Sequence, residues 1–243
     1  MIRTNENREY AHKTRMNFLN KCGVDLTYFA RVRPTDSPNI EVVEMGESCI
    51  KKQVYINKAI IEADFDFYYD GSDAIFSLEH QVSVGLMSGD CIPLIVWDNK
   101  SGFHGIVHIG LLGALNRIAA NLPVVLSSVN VTIDNLHFYF GPSIGADDYC
   151  LSLSGLWKAI KHQVESKIPD IYNFTSIKND NTYFDIQAYV ISQLLKIGVH
   201  RNNIQVYPYS TAGNDSIFFS HHKSLHKDGG LENGRFYSII KPK

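Results

Sequence analysis

The sequence predicts an α/β fold, a single domain in which mixed β-sheets carry helices on their outside. Three observations predict it. Short apolar runs that read as strands outnumber helical stretches and alternate with them irregularly along the 243 residues. No internal repeat or low-complexity tract interrupts them. The run Ile92–Trp97 is apolar on both faces, Ile92, Leu94 and Val96 on one and Pro93, Ile95 and Trp97 on the other, so it belongs inside a sheet covered on both sides.

The elements follow in order. Residues 5–22 read as a first helix, with Tyr10, Ala11, Thr14, Phe18 and Leu19 on one face and Gly23 as its stop. Residues 32–37, with Pro34 inside and Pro38 after, read as a loop, and 40–44 and 53–61 as short strands. DFDFYYDGS at 64–72 fits a solvent-edged strand with an Asp70-Gly71 turn better than a cation or sugar site. Strands at 73–78 and 82–87 lead into a hairpin of 92–97 and 103–108, joined by DNKSG at 98–102. From Gly110 a helix is expected, with Leu115, Ile118, Ala119 and Leu122 at helical spacing. Strands at 130–133 and 136–140 are followed by Gly141-Pro142-Ser143-Ile144-Gly145.

Leu156, Trp157, Ile160 and Val164 mark a helix over 155–167. Phe184, Ala188, Ile191, Leu194 and Leu195 mark another over 182–197, with Asp185 in its first turn and Gly198 at its end. Residues 205–209, 217–220 and 236–240 read as the last strands. HHKSLHKDGGLENG at 221–234 is polar and glycine-rich and reads as a mobile surface loop. Adjacent histidines in a strand point to opposite faces, so His221, His222 and His226 do not read as a metal site.

Composition excludes some partners. With 23 Lys+Arg against 25 Asp+Glu and a net charge of −2, nothing favours nucleic acid or an acidic membrane surface. The four cysteines lie far apart with no CxxC pair. The polar, charged start of the chain does not read as a secretory signal, and no apolar run approaches bilayer length. The expectation is a cytoplasmic protein with reduced thiols, acting on a small molecule.

The chemistry concentrates in SGDCIPLIVWDNKSGFHGIVHIGLLG, residues 88–113. With Asn99 and Lys100 at the centre of the turn, Cys91 stands directly opposite His108. Opposed residues in an antiparallel pair have Cβ atoms roughly 4.5–5.5 Å apart, so the thiol and the imidazole can share a proton or a metal ion. A loop longer by one residue would put them on opposite faces. A helix starting at Gly110 would aim its N–H groups at the pair and favour a thiolate. The 141–145 loop would offer backbone N–H groups to an oxyanion. A buried cysteine alone is usually a small core hydrophobe. It is the facing pair that points to chemistry.

GSDAIFS, SGDCIPLIVWD, HGIVHIGLLG, FGPSIG and FFSHHKSLHKDGGLENGRF, in that order over about residues 70–240, resemble the YfiH family. Its members are also called laccase-domain or multicopper polyphenol oxidase proteins, and some are named peptidoglycan editing factors. The family pattern runs Gln-Val-His, Asp-Ala, Ala-Asp-Cys-x-Pro, His-Ala-Gly-Trp-Arg-Gly, Gly-Pro-x-Ile-Gly and a closing Phe-Phe-Ser…Thr-Gly-Arg. The resemblance implies one domain over 1–243, an αββα sandwich of two mixed β-sheets flanked by helices, similar to the cytotoxic necrotizing factor deamidase toxins. It also implies a zinc ion held by His, Cys and His, and purine nucleosides as substrates for phosphorolysis or adenosine deamination.

Residue by residue, the family's Cys matches Cys91 and its later His matches His108, while its first His falls at Tyr55. The Trp-Arg, whose arginine is expected to hold an anionic substrate, becomes Leu111-Leu112. Asp90, Gly110, Gly113, Ser220 and Arg235 match. The resemblance thus implies Cys91, His108, Tyr55 and Asp90 as catalytic residues. It implies Gly110, Gly113, Gly141, Ser143, Gly145, Ser220 and Arg235 as substrate-binding residues. Cys91 and His108 are the candidate metal ligands. Two protein ligands hold zinc poorly, and Tyr55 becomes a third only if its phenol ionises. No tightly bound zinc or copper is therefore expected; if zinc is found, Tyr55, His80 or His104 is the missing ligand. Arg235 or Lys227 would have to supply the cation that Leu112 lacks. Three functions remain open: a purine-nucleoside enzyme, a metal-free Cys-His hydrolase or deamidase of a small amide or peptide, and a catalytically degenerate binding protein.

Overall fold

Two sheets stack face to face, each built from the short apolar runs of the sequence. The computed structural model describes residues 5–25, 29–32, 34, 39–45, 50–55, 72–214, 217–226 and 234–242. Helix α1 (Asn5–Lys21) is followed by β1 (Phe29–Arg31), β2 (Ile40–Met45), β3 (Ile50–Tyr55), β4 (Ala74–Ser77), β5 (Ser83–Ser88), β6 (Ile92–Trp97) and β7 (His104–Ile109). Then come α2 (Leu111–Leu115), α3 (Leu122–Ser128), β8 (His137–Phe140), α4 (Gly155–Lys167), β9 (Thr175–Lys178), β10 (Asn181–Phe184), α5 (Ile186–Lys196), β11 (Ile204–Val206), α6 (His221–His226) and β12 (Phe236–Ile240). Among the described residues the larger sheet runs β11-β8-β6-β7-β4-β2-β3, the smaller β1-β5-β12, and β9 and β10 form a hairpin of their own.

Alternation of side chains sorts the layers. Val42, Phe76, Leu94, Val107 and Phe138 face Leu115, Leu126, Trp157, Ile160 and Val190 in one core between the large sheet and α2–α5. On the reverse face, Val43, Ile75 and Ile106 pack against Val82, Val84 and Leu86 from the region of β5. Helix α1 lies over the far side of the smaller sheet, where the Arg15 guanidinium sits 5.9 Å from the Tyr237 ring. The order helix, sheet, sheet, helix is the α/β architecture expected from the sequence. No helix among the described residues is long and apolar enough to cross a membrane.

Several elements differ from expectation for local reasons. The helix expected from Gly110 is broken: α2 holds five residues, and Arg117 is left-handed at φ 53 before a 3₁₀ turn and α3 resume. The helix expected over 182–197 starts at Ile186, because Asp185 caps it by accepting the Ala188 N–H at 2.8 Å while 182–184 pair in β10. The strand expected over 130–133 is absent, and Ile133–Asn135 is a 3₁₀ turn. Residues 217–220 form no strand, and the expected loop opens with helix α6. On α1 only Leu19 of the proposed face is known to be buried, while Tyr10 and Phe18 are exposed. Strand β3 stops at Tyr55; the rest of the run to 61, and 64–71, lie outside the described residues.

The hairpin register differs too. Asp98 N–H donates to the Phe103 carbonyl at 2.7 Å and Gly102 N–H to the Asp98 carbonyl at 3.1 Å, so four residues make the loop. His108 therefore pairs with Pro93, not Cys91. The loop is two residues longer than expected, and a shift of two preserves the face. Cys91 lies diagonally across from His108, on the same side of the sheet.

Candidate active site

His108 is the penultimate residue of β7, and Asp73 immediately precedes β4, its neighbour. The His108 N–H donates to the Asp73 carbonyl at 2.6 Å, which locks the two backbones together. Their side chains meet as well: Nδ1 of His108 lies 2.7 Å from Oδ1 of Asp73, both residues being buried. A carboxylate only accepts, so Nδ1 carries the proton and Nε2 is left for the other neighbour. That neighbour is Cys91, half-buried and hydrogen-bonded to the imidazole. Burial, the largest influence on His108, disfavours its charged form. The electrostatic interaction with Cys91, the hydrogen bonds to Asp73 and Cys91, and the Asp73 charge together outweigh it and push the imidazole up to about 10. Asp73, His108 and Cys91 thus form a line of carboxylate, imidazole and sulphur, the arrangement that activates a thiol nucleophile.

The sulphur opens into a cavity of about 360 Å³. Leu111, Ile144, Leu156 and Ile186 make its apolar wall, and Tyr149, His221 and His222 its aromatic and basic one. The two histidines were expected on a mobile loop. On α6 they share a face of the cavity instead, because helical neighbours are about 100° apart rather than opposed. The signal for that helix was present: Ser220 is a capping residue, and its Oγ accepts the Lys223 N–H at 3.1 Å. Arg235 lies over Gly89, where a Cβ would come within 2.9 Å of Arg235 Cδ. Its Nη2 is 3.4 Å from His221 Nδ1. An arginine only donates, so Nδ1 accepts.

Other expected residues take different places. The carboxylate of Asp90 accepts hydrogen bonds from Thr211, Ser220 and His222. Both of its oxygens are thus engaged by its own chain. Gly110 lines the cavity, but α2 is too short to present a helix terminus to the thiol. Gly113 sits inside α2 among buried residues and does not line the cavity. The loop 141–145 does not cradle an anion: the N–H groups of Gly141, Ile144 and Gly145 donate to the Pro93 carbonyl, the Asp90 carbonyl and the Ser210 hydroxyl. Ser143 is fully buried and its Oγ accepts from Gln187 at 2.8 Å. Gly141 is needed for close approach, since a Cβ would stand 2.8 Å from Pro93 Cγ. Ser220 serves Asp90 and α6. Leu112 is buried in the core, and Lys227 lies outside the described residues.

The donors for a metal are few. Among the described residues no group of three or more His, Cys, Asp or Glu side chains is placed to hold one ion. Cys91 Sγ and His108 Nε2 are one protein ligand short of a catalytic zinc site and far short of a copper cluster. Tyr55 ends β3 at the same end of the sheet, but β2 and β4 separate its strand from that of His108, about 14 Å of backbone at the usual spacing. His104 is engaged elsewhere, its ring nitrogens each 2.8 Å from the carbonyls of Gly102 and Val82. His80 lies beside Gly102, at the opposite end of the hairpin. Among the described residues, the donors do not fit the metal.

The family model described as multi-copper polyphenol oxidoreductase laccase matches residues 3–243. Among curated relatives, a purine nucleoside phosphorylase of Mycobacterium tuberculosis is 23% identical over 70% of this chain and 62% of its own length. One of Staphylococcus aureus is 26% identical over 70% of this chain and 63% of its own. The chain thus spans under two thirds of the length of these relatives. An adenosine deaminase from an unknown prokaryotic organism is 23% identical over 93% of this chain and 79% of its own length. In fold, YlmD from Geobacillus stearothermophilus superposes with a TM-score of 0.72 at 20% identity, over 94% of this chain and 78% of that one. The YfiH protein of Bacillus licheniformis gives 0.72 at 20% over 95% and 80%. With its family model matched over nearly the whole sequence, the chain belongs to the multi-copper polyphenol oxidoreductase laccase family, the YfiH-like proteins.

Proposed function

We propose that the chain is an enzyme of this family that acts on purine nucleosides without a metal, with Cys91, His108 and Asp73 as its reacting centre. The observation that carries the reading is the Asp73–His108–Cys91 line at the wall of an apolar cavity. The names of the relatives supply the substrate class. In deamination, the Cys91 sulphur adds to the ring carbon bearing the amino group, and His108 delivers the proton on which ammonia leaves. Water then displaces the sulphur, with His108 taking the proton. In phosphorolysis, phosphate attacks the sugar carbon as the bond from that carbon to the base nitrogen breaks, and His108 delivers the proton on which the base leaves. Arg235, over Gly89, supplies there the cation that Leu112 lacks.

Assays of adenosine and inosine, each with and without phosphate, test the reading on wild type, Cys91→Ala and Arg235→Ala. Cys91→Ala is expected to abolish turnover. Arg235→Ala is expected to weaken only the phosphate-dependent reaction, by about 10- to 150-fold for one charge-assisted contact. Unchanged turnover in Cys91→Ala removes the centre. A second reading, a thiol hydrolase of a small amide, is favoured by the 2.7 Å bond that holds the protonated His108 ring beside Cys91, placed to give its proton to a leaving amine. A fast-reacting Cys91 with no nucleoside turnover selects it. A slow Cys91 with no turnover selects a binding protein.

A further inference from the structure

Asp90 precedes Cys91, is 7% exposed, and has a left-handed backbone at φ 79, a conformation disfavoured for residues with a Cβ. Its Oδ1 accepts from Thr211 Oγ1 at 2.6 Å. Its Oδ2 accepts from Ser220 Oγ at 3.0 Å and from the His222 N–H at 2.6 Å. Its carbonyl accepts the Ile144 N–H at 2.9 Å. One residue therefore ties together three segments distant in sequence. The peptide it forms carries Cys91, and the helix it caps carries His221 and His222, with His222 edge-on to Tyr149 at 5.8 Å. All of these side chains line the same cavity. A strained backbone fixed by this many bonds is held for the geometry it produces.

We propose that Asp90 is the positioning residue of the site, which holds the Cys91 peptide and the start of α6 as one rigid wall of the cavity. This rests on the reading of Cys91 as the reacting group. Two substitutions separate the backbone from the carboxylate. Glycine adopts the left-handed conformation freely but offers no acceptor. Asparagine tolerates that conformation, keeps an oxygen for the His222 N–H, and can turn its amide toward Thr211 Oγ1.

The experiment labels the full chain with iodoacetamide and quantifies Cys91 by mass spectrometry. Exposed Cys22 is the reference, and buried Cys150 reports any general opening of the fold. Amide hydrogen exchange over 221–226 is followed in parallel. Asp90→Gly is expected to slow Cys91 by about tenfold or more, with Cys22 and Cys150 unchanged, and to speed exchange in α6 by about tenfold. Asp90→Asn is expected to restore both to within about threefold of wild type. If Asp90→Gly does not fold, Thr211→Val removes a single bond and is expected to slow Cys91 by about threefold. Unchanged exchange in α6 overturns the proposal, as does a Cys91 rate that moves only together with that of Cys150. A wild-type Cys91 no faster than Cys22 instead overturns the reacting centre, and exchange in α6 alone then decides the role of Asp90.

Discussion

His108 holds its proton because the groups at its two nitrogens favour the charged form by more than burial disfavours it. Its folded value is raised from 6.5 to about 10, so its contribution to stability is fully present below 6.5 and lost as the pH rises toward 10. Melting temperature is therefore expected to fall more between those values in wild type than in His108→Asn, and parallel curves would contradict the assignment. Asp73→Asn keeps the shape but loses the charged acceptor, and is expected to lower turnover by about 10- to 150-fold. Equal turnover in this variant would show that the carboxylate does not orient the ring. Cys91 and His108 were legible in the sequence because they flank one hairpin. Asp73 was read as the start of a strand and within the family's Asp-Ala element, with no role of its own. Its role depends on β4 pairing with β7, a contact across 35 residues that no local pattern encodes.

The hairpin of β6 and β7 shows how an element carries the site. Asp98 accepts from the N–H groups of Lys100 and Ser101 and from the Ser101 hydroxyl, at 2.8, 3.2 and 2.6 Å. Burial acts against the Asp98 charge, but these bonds and the Lys100 charge outweigh it and hold the carboxyl below its usual value of 3.8. Its contribution is present above that value and lost as the pH falls through the lower folded one. Asp98→Ala is expected to cost about 1–3 kcal/mol, a fall of roughly 2–12 °C in melting temperature for a chain of this size. Deleting one loop residue should turn Cys91 to the other face and remove its reactivity; deleting two should retain it. Equal reactivity in both deletions would contradict the register. The strands themselves were legible from alternation. The breaks were not, since Arg117 and Asp185 switch conformation within continuous apolar patterns.

At the scale of the whole molecule, β4 and β7 of the larger sheet pack with no room to spare. Gly105 on β7 has no room for a side chain, because a Cβ would overlap the Phe76 ring and the Ile75 carbonyl. Gly105→Ala is expected to destabilise by about 1–3 kcal/mol or more, read by denaturant unfolding, and an unchanged midpoint would contradict this packing. The layering was legible because strand faces and helix stripes repeat. The cavity was less so, since it is assembled from the segments around Cys91 and Ile144 and from the starts of α2, α4, α5 and α6 only when the layers close. The central claim is that Cys91 is a reactive thiol facing a nucleoside-sized cavity, and competitive alkylation tests it most directly. Iodoacetamide is expected to label Cys91 faster than Cys22 and Cys150 near neutral pH, more slowly in His108→Ala, and more slowly again under saturating adenosine or inosine. Labelling of Cys91 no faster than Cys22, indifferent to His108 and to nucleoside, would contradict it.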